Sequence, residues 1–241
     1  LSAVDSVILV VDCVKGVEEQ TEKLMSVCRM RNTPVIIFVN KMDISSYDKN
    51  TLLHNLKAKI SENCIDFGNG FDAEFYENAA MCDEEAMQSF LDSGKVENNL
   101  ICLMIKQRKL FPVFFGSALK QEGVDEFLKL FAEFTTPDEE RENFSAKVFK
   151  ITQDEQGNRL THMKITGGKL KVKEVISGTD KAKNEWNEKV NAIRIYSGNK
   201  FTMSETAEQG CVCAVTGLTS TYPGEGLGAE DSVSEYALEP V

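Results

Sequence analysis

Three polar side chains follow an apolar run in the hexapeptide FVNKMD, residues 38–43. The run TPVIIFVN (33–40) is typical of a strand buried on both faces, so Asn40, Lys41 and Asp43 fall where that strand ends. A carboxylate can accept two hydrogen bonds from a ring with adjacent N–H donors, and a lysine stem can lie across a ring face while its ammonium stays in water. These residue types suit recognition of a purine base.

A second turn, Ser117-Ala118-Leu119, comes at the end of the apolar run LFPVFFGSA (110–118). Ligands of parallel α/β sheets bind beyond the carboxyl ends of the strands, so both turns lie at a candidate binding edge. Guanine presents paired N1 and N2 donors to a carboxylate such as Asp43, and a backbone N–H in a tight Ser-Ala turn can donate to its carbonyl oxygen. Adenine lacks the paired donors and would leave a buried carboxylate unsatisfied.

Each of these residues also has a purely structural interpretation. Asn40 could simply be a turn residue that ends a strand, Asp43 could be a helix N-cap, and Ser117 could be another cap. Taken one at a time, the residue types do not separate the two interpretations, so the surrounding elements have to decide.

The first half of the chain alternates apolar runs with helical patterns, which predicts a parallel sheet covered on both faces. Residues 64–99 interrupt this rhythm with nine acidic residues and one lysine, and we expect an irregular, partly helical surface excursion there. The predicted strands cover residues 6–12, 33–40 and 110–118, and the predicted helices cover 16–31, 48–62 and 123–134.

The second half has a different pattern. The polar stretch TTPDEERENFS (135–145) is the obvious linker. Short alternating runs separated by glycines follow it, and such runs predict an all-β sandwich or small closed barrel. We therefore expect an α/β domain over residues 1–140 and an all-β domain over residues 141–241.

The charge is unevenly distributed along a chain whose formal net charge is −11. Residues 1–142 carry 15 Lys/Arg against 25 Asp/Glu, whereas residues 147–200 carry 12 against six, a local net of +6. The overall negative charge argues against a protein that binds nucleic acids nonspecifically along their length. The basic segment is compatible with docking on phosphates, and equally with the ordinary surface of a lysine-rich barrel.

The composition also bears on compartment and metal binding. Seven cysteines without regular spacing suit a reducing cytoplasm better than a disulfide framework. Cys211 and Cys213 have no second ligand pair nearby, which favours small core side chains over a metal site. No apolar stretch approaches the roughly 20 residues that a membrane span needs.

With these flanking segments, NKMD resembles the N-K-x-D guanine motif of GTP-binding proteins, and GSAL resembles their second base-binding loop. LSAVDSVILVVDCVKGVEEQT (1–21) and KLMSVCRMRNTPVIIFVNKMD (23–43) are similar to segments of translational GTPases: elongation factor G, release factor 3 and the tetracycline-resistance ribosomal protection proteins. AKVFKITQDEQGNRLTHMKITGGKLKVKE (146–174) resembles the β-barrel that follows the GTPase domain in those factors. The likeness favours the elongation-factor-G-like, ribosomal-protection branch, with release factor 3 close over residues 23–43.

The resemblance implies roles for individual residues and for partners. Asp43 would accept from the guanine of GTP or GDP, Asn40 would brace the loop and approach the base, and Lys41 would stack on the ring. Ser117, Ala118 and Leu119 would close the far side, with the Ala118 N–H reaching the base carbonyl. The ribosome, through its RNA and proteins, is the expected partner of the parent protein; DNA and membranes are not.

The fold expected from the resemblance is a truncated P-loop GTPase-type parallel sheet with helices, followed by an all-β barrel. The sequence contains no G-x-x-x-x-G-K-[ST] phosphate loop, and residues 1–140 contain no D-x-x-G element. We therefore expect a piece of a longer GTPase, with no catalytic or metal-ligating residues of its own and Mg²⁺ bound only in the full-length parent. The alternative to an enzyme fragment is a non-catalytic ribosome-docking module.

Overall fold

The computed structural model describes residues 3–135, 139–179 and 184–230. These residues form two compact units, 3–135 and 139–230. The first unit is a parallel sheet with helices and the second consists of antiparallel sheets, which confirms the fold class predicted from the sequence. No helix within the described ranges is both long and apolar enough to span a membrane.

The first unit is built on a four-stranded parallel sheet with strand order β1-β2-β4-β3. Asp12 pairs in register with Asn40, and Val39 pairs with Phe115, so the carboxyl ends of β1, β2 and β4 lie side by side. The strands are β1 (Val7–Asp12), β2 (Val35–Asn40), β3 (Cys64–Asp66) and β4 (Phe111–Phe115). The helices are α1 (Glu19–Met30), α2 (Lys49–Lys59), α3 (Ala73–Ala80), α4 (Glu84–Ser93), α5 (Asn98–Lys106) and α6 (Val124–Phe134), with a short 3₁₀ helix at Met42–Ile44.

The side chains of β2 pack into a core on each face of the sheet, which explains the unbroken apolar sequence of this strand. Ile37 and Val39 pack into a core with residues of α1 and α2, whereas Ile36 and Phe38 pack on the opposite face with residues of α3, α5 and α6. All four side chains are at most 5% exposed. Two separate cores therefore hold the end of β2 in place.

The segment 64–99 is partly helical, as predicted, but it is not an irregular excursion on the surface. It contributes strand β3, helices α3 and α4, and the fully buried side chain of Phe67. The Phe67 ring contacts Phe75, Phe114 and Phe134, with centroids 5.0, 5.9 and 5.3 Å away. Glu74, Glu77, Glu85 and Asp92 lie exposed on the outer faces of α3 and α4, and Asp72 and Asp83 cap the first turns of these helices.

We predict that Phe67→Ala lowers the free energy of unfolding of the first unit by about 3–5 kcal/mol, because it leaves a cavity among these rings. All described helices belong to this unit, so urea unfolding followed by far-UV circular dichroism monitors it. The control is Leu128→Ala on α6, where the side chain is 52% exposed and a change within about 0.5 kcal/mol is expected. A loss below about 1 kcal/mol for Phe67→Ala would show that the segment does not belong to the core.

The second unit is formed by antiparallel strands around one apolar core. Its main sheet has six strands in the order β11-β10-β13-β6-β5-β14, and β12-β7 and β8-β9 form two-stranded sheets. The strands are β5 (Ser145–Gln153), β6 (Arg159–Gly167), β7 (Lys169–Lys171), β8 (Val175–Thr179), β9 (Glu185–Lys189), β10 (Ala192–Ser197), β11 (Lys200–Ser204), β12 (Thr206–Glu208), β13 (Val212–Thr216) and β14 (Gly226–Gly228).

The single tryptophan of the chain belongs to this second core. The Trp186 indole N–H donates to Glu225 across 3.2 Å, and both residues are buried. A side chain at Gly178 would collide with the indole ring, since a Cβ there would lie 2.3 Å from it. Burial raises the pKa of the Glu225 carboxyl, while the hydrogen bonds from the Tyr222 N–H and Trp186 oppose that shift.

Candidate functional site

The chain turns sharply at the end of β2. Lys41 adopts a left-handed backbone conformation (φ 69°), which is uncommon for a residue with a Cβ, and the 3₁₀ helix Met42–Ile44 follows directly. The Met42 N–H donates to the Gly116 carbonyl across 3.1 Å, and the Cys13 thiol donates to the Lys41 carbonyl across 3.0 Å. The turn is therefore fixed from both neighbouring strand ends.

The Asn40 side chain joins the two predicted turns. Its Oδ1 accepts hydrogen bonds from the Lys41 N–H (2.8 Å) and from the Ala118 N–H (2.9 Å). One amide oxygen thus ties the NKMD turn to the Ser-Ala-Leu turn, 78 residues later in the chain. The amide nitrogen of Asn40 is left to donate to another group.

The second turn is shaped by close backbone packing. A side chain at Gly116 would lie 2.4 Å from the Glu122 carbonyl oxygen, so glycine is required there. Ser117 is buried and exchanges two backbone hydrogen bonds of 3.0 Å with Glu122, and its hydroxyl accepts from the Lys120 N–H. Ser117 therefore stabilises the loop, whereas Ala118 and Leu119 are exposed, with Leu119 at 89%.

The Lys41 side chain is held by Asp12, a residue that the sequence interpretation did not include in the site. The distance from Lys41 Nζ to Asp12 Oδ2 is 2.6 Å, and Asp12 Oδ1 accepts from the Val14 N–H. These bonds, with Lys41 first, lower the pKa of Asp12 to about 2, and the same pair raises the pKa of Lys41. The sequence indicates a role for Asp12 in the site only by its position, at the end of the apolar run of β1.

Asp43 is exposed, and its carboxylate makes no hydrogen bond or ion pair with any residue of the described ranges. It does not cap the following helix, because Asp48 performs that role by accepting from the Thr51 N–H across 2.7 Å. The carboxylate is therefore free to accept from a ligand. A hydrogen bond joins Asn40 to Ala118, but no hydrogen bond joins Asp43 to the second turn.

A cavity of about 250 Å³ lies between the loop that follows β1 and helix α2. Tyr47, Leu52 and Lys59 contribute to its wall, and the Lys59 ammonium donates to the Val17 carbonyl. None of the six residues predicted to contact a base lines this cavity. Of the candidate base-site residues at the sheet edge, Lys41, Asp43, Ala118 and Leu119 are exposed.

The chain that forms these two turns matches a known protein family. Residues 1–137, more than half of the chain, match the family model described as the elongation factor Tu GTP binding domain. The chain belongs to this family. Membership in the elongation factor Tu GTP-binding family implies binding of guanine nucleotides, and it agrees with the translational GTPase resemblance.

The fold has a solved counterpart in a crystal structure of a protein from Thermus thermophilus. The two structures align with a TM-score of 0.76 at 19% sequence identity, over 95% of this chain. The chain spans 41% of the length of the Thermus protein, so it matches less than half of that longer polypeptide. At 19% identity, the similarity between the two structures establishes only that the chains share a fold.

No cluster of three or more potential metal ligands occurs among the residues that the structure describes. Cys213 is buried and Cys211 half-buried, and all seven cysteines are free thiols. Burial raises the pKa of the Cys213 thiol to about 12, as expected for a small core side chain. The described residues therefore offer no set of ligands that fits a Mg²⁺ ion.

We predict that Asn40→Ala loosens the second turn, because the Ala118 N–H loses its acceptor. Amide hydrogen exchange of residues 116–119, measured by NMR, should accelerate about tenfold, which corresponds to roughly 1.4 kcal/mol of local stability. The matched control is Asn50→Ala, an exposed residue in the first turn of α2. Unchanged exchange in Asn40→Ala would show that Asn40 does not hold the turn.

The Asp12–Lys41 pair gives a second prediction, for pH. The folded-state pKa of Asp12 is lower than the unfolded value of about 3.9, so its stabilising contribution is present above that value and is lost as the pH falls through about 2. Lys41→Ala should move the pKa of Asp12 up toward its usual range, as measured by carboxyl-carbon NMR. Asp48, whose pKa is lowered by the Thr51 N–H, is the internal control and should not move. An unshifted Asp12 titration would contradict the pairing.

Proposed function

We propose that the turns 40–43 and 117–119 form the guanine-recognition half of a GTP-binding site in a translational GTPase. The observation that carries the proposal is the arrangement around Asn40: its oxygen joins both turns while the Asp43 carboxylate stays exposed and unpartnered within the described residues. A rigid pair of turns with one open carboxylate is what selective recognition of a purine with paired N–H donors requires.

Each side chain has a distinct role in this proposal. Asp43 accepts from the guanine N1–H and N2–H groups, and the Lys41 stem, fixed at its tip by Asp12, offers a flat apolar wall for the ring. The Ala118 N–H already donates to Asn40, so the base carbonyl oxygen shares this donor with the Asn40 oxygen. Leu119 covers the outer edge of the ring.

In this proposal the chain selects the base, and the phosphate chemistry takes place elsewhere. The sequence has no phosphate loop, and its described residues hold no acidic cluster suited to Mg²⁺. We propose that the full-length parent supplies these parts, hydrolyses GTP and acts on the ribosome in the cytoplasm. The segments around FVNKMD support an elongation-factor-G-like or tetracycline-resistance ribosomal protection branch, with release factor 3 as the alternative.

The second candidate function is a non-catalytic ribosome-docking module. The observation that favours it is the local charge of residues 147–200, with 12 Lys/Arg against six Asp/Glu in an acidic chain. Both functions are compatible, because they use different units. Salt-sensitive binding to ribosomal RNA that does not depend on guanine nucleotides supports docking.

The guanine proposal is tested by Asp43→Asn, with GDP and xanthosine diphosphate as ligands. Xanthine carries an acceptor where guanine carries the N2 donor, so the wild-type carboxylate should disfavour xanthine, whereas the Asn amide N–H of the variant should donate to it. We expect the wild type to prefer GDP by tenfold or more, from about 1–3 kcal/mol per unsatisfied group, and Asp43→Asn to reverse the order. Titrations followed by NMR at the amides of Lys41 and Ala118 detect weak binding at the site itself.

The matched control is Asp92→Asn, an exposed carboxylate on α4 that should leave the preference unchanged. Identical preference in wild type and Asp43→Asn would remove Asp43 from the site. Perturbed amides confined to regions away from both turns would place the nucleotide elsewhere.

A further inference from the structure

A continuous row of four aromatic rings crosses the outer face of the main sheet in the second unit. Phe149 on β5 contacts His162 on β6 at 6.1 Å between centroids, His162 contacts Tyr196 on β10 at 6.0 Å, and Tyr196 contacts Phe201 on β11 at 5.4 Å. The apolar core of the unit contains none of these rings. We refer to Phe149, His162, Tyr196 and Phe201 as the ring row.

The row is possible because the strand between β6 and β10 presents a very small side chain. Ala214 on β13 pairs in register with His162 on one side and with Arg194 on the other, so all three side chains share one face of the sheet. A larger residue at Ala214 would separate the rings of His162 and Tyr196. Ala214 is fully buried and forms the floor beneath them.

The rings are held in place yet remain open to solvent. Tyr196 and Phe201 are 37% and 45% exposed, which leaves ring surface for a ligand. The Arg194 guanidinium lies 4.6 Å from the Phe201 ring centroid and donates to Asp154 across 3.0 Å, so the cation supporting Phe201 is itself fixed. The Thr152 hydroxyl is 2.7 Å from Nε2 of His162 and orients that ring.

The charge at the ring row is basic. Lys150 pairs in register with His162 and therefore stands on the same face, as does Arg194 through its pairing with Ala214. Lys150 is exposed and has no carboxylate partner among the described residues. The nearby carboxylate of Asp154 is occupied by Arg194 and Asn158. Burial, followed by the charge of Lys150, lowers the pKa of the His162 ring.

We infer that the ring row is a binding platform for unpaired bases of single-stranded RNA. Exposed rings on a sheet face stack with bases, and the flanking Lys150, which lacks a carboxylate partner among the described residues, contacts a phosphate. A duplex hides the faces of its bases and is not a ligand for such a surface. The inference concerns the second unit alone and stands whether or not Asp43 contacts guanine.

The test is fluorescence anisotropy of a labelled 12-nucleotide oligo(U) RNA with the whole chain at low salt. This probe lacks guanine, so the result is independent of the nucleotide site. We expect the double variant Tyr196→Leu/Phe201→Leu, which keeps apolar bulk but removes two rings, to bind tenfold or more weakly, as base–aromatic stacking predicts. Duplex oligo(A)·oligo(U) should bind less tightly than the single strand.

Val175→Ala on β8 is the matched control, an apolar side chain of the same unit that is 62% exposed, and it should not change binding. Fluorescence of the buried Trp186 verifies that the second unit is folded in each variant. Unchanged binding of the double variant overturns the inference, as does tighter binding of the duplex. Absence of oligo(U) binding by the wild type also overturns it.

Discussion

The candidate site depends on one amide oxygen. Asn40 Oδ1 accepts from two backbone N–H groups that belong to successive strand ends of the parallel sheet. This is possible because β2 pairs directly with β4, which places both turns at the same edge. The turn geometry that results, with Lys41 in the left-handed region and Asp43 exposed, is then determined by neighbours on both sides.

The electrostatics of the site follow from the same alignment. In-register pairing of β1 and β2 sets Asp12 opposite Asn40, and from there Asp12 reaches the ammonium of Lys41. The lysine is therefore restrained at its tip, while its stem is left as an apolar wall. The Asp43 carboxylate has no such partner in the described residues. One carboxylate positions a cation and the other is available to a ligand, because their neighbours differ.

The two units use aromatic residues in opposite ways. In the first unit, Phe67 and the rings around it fill the core between the sheet and helices α3, α5 and α6. In the second unit, the core is mostly aliphatic apart from Trp186, and the ring row lies on the outer face. Exposed rings contribute less to folding than buried ones, so a row of them is better explained by binding than by stability.

The sequence by itself determined the strands that flank FVNKMD, the helices between them, the change to antiparallel strands and the residues of both turns. Those features have local causes: the spacing of apolar residues, the residue types that form turns, and the polar residues that follow an apolar run. Only the tertiary structure shows that Phe67 is a core residue. The helices that follow it are short, and their acidic residues make the apolar pattern hard to recognise in the sequence. The tertiary structure also brought Asp12 to Lys41 and aligned the ring row across Ala214. These contacts depend on which strands pair and in which register, and local sequence patterns do not encode that pairing.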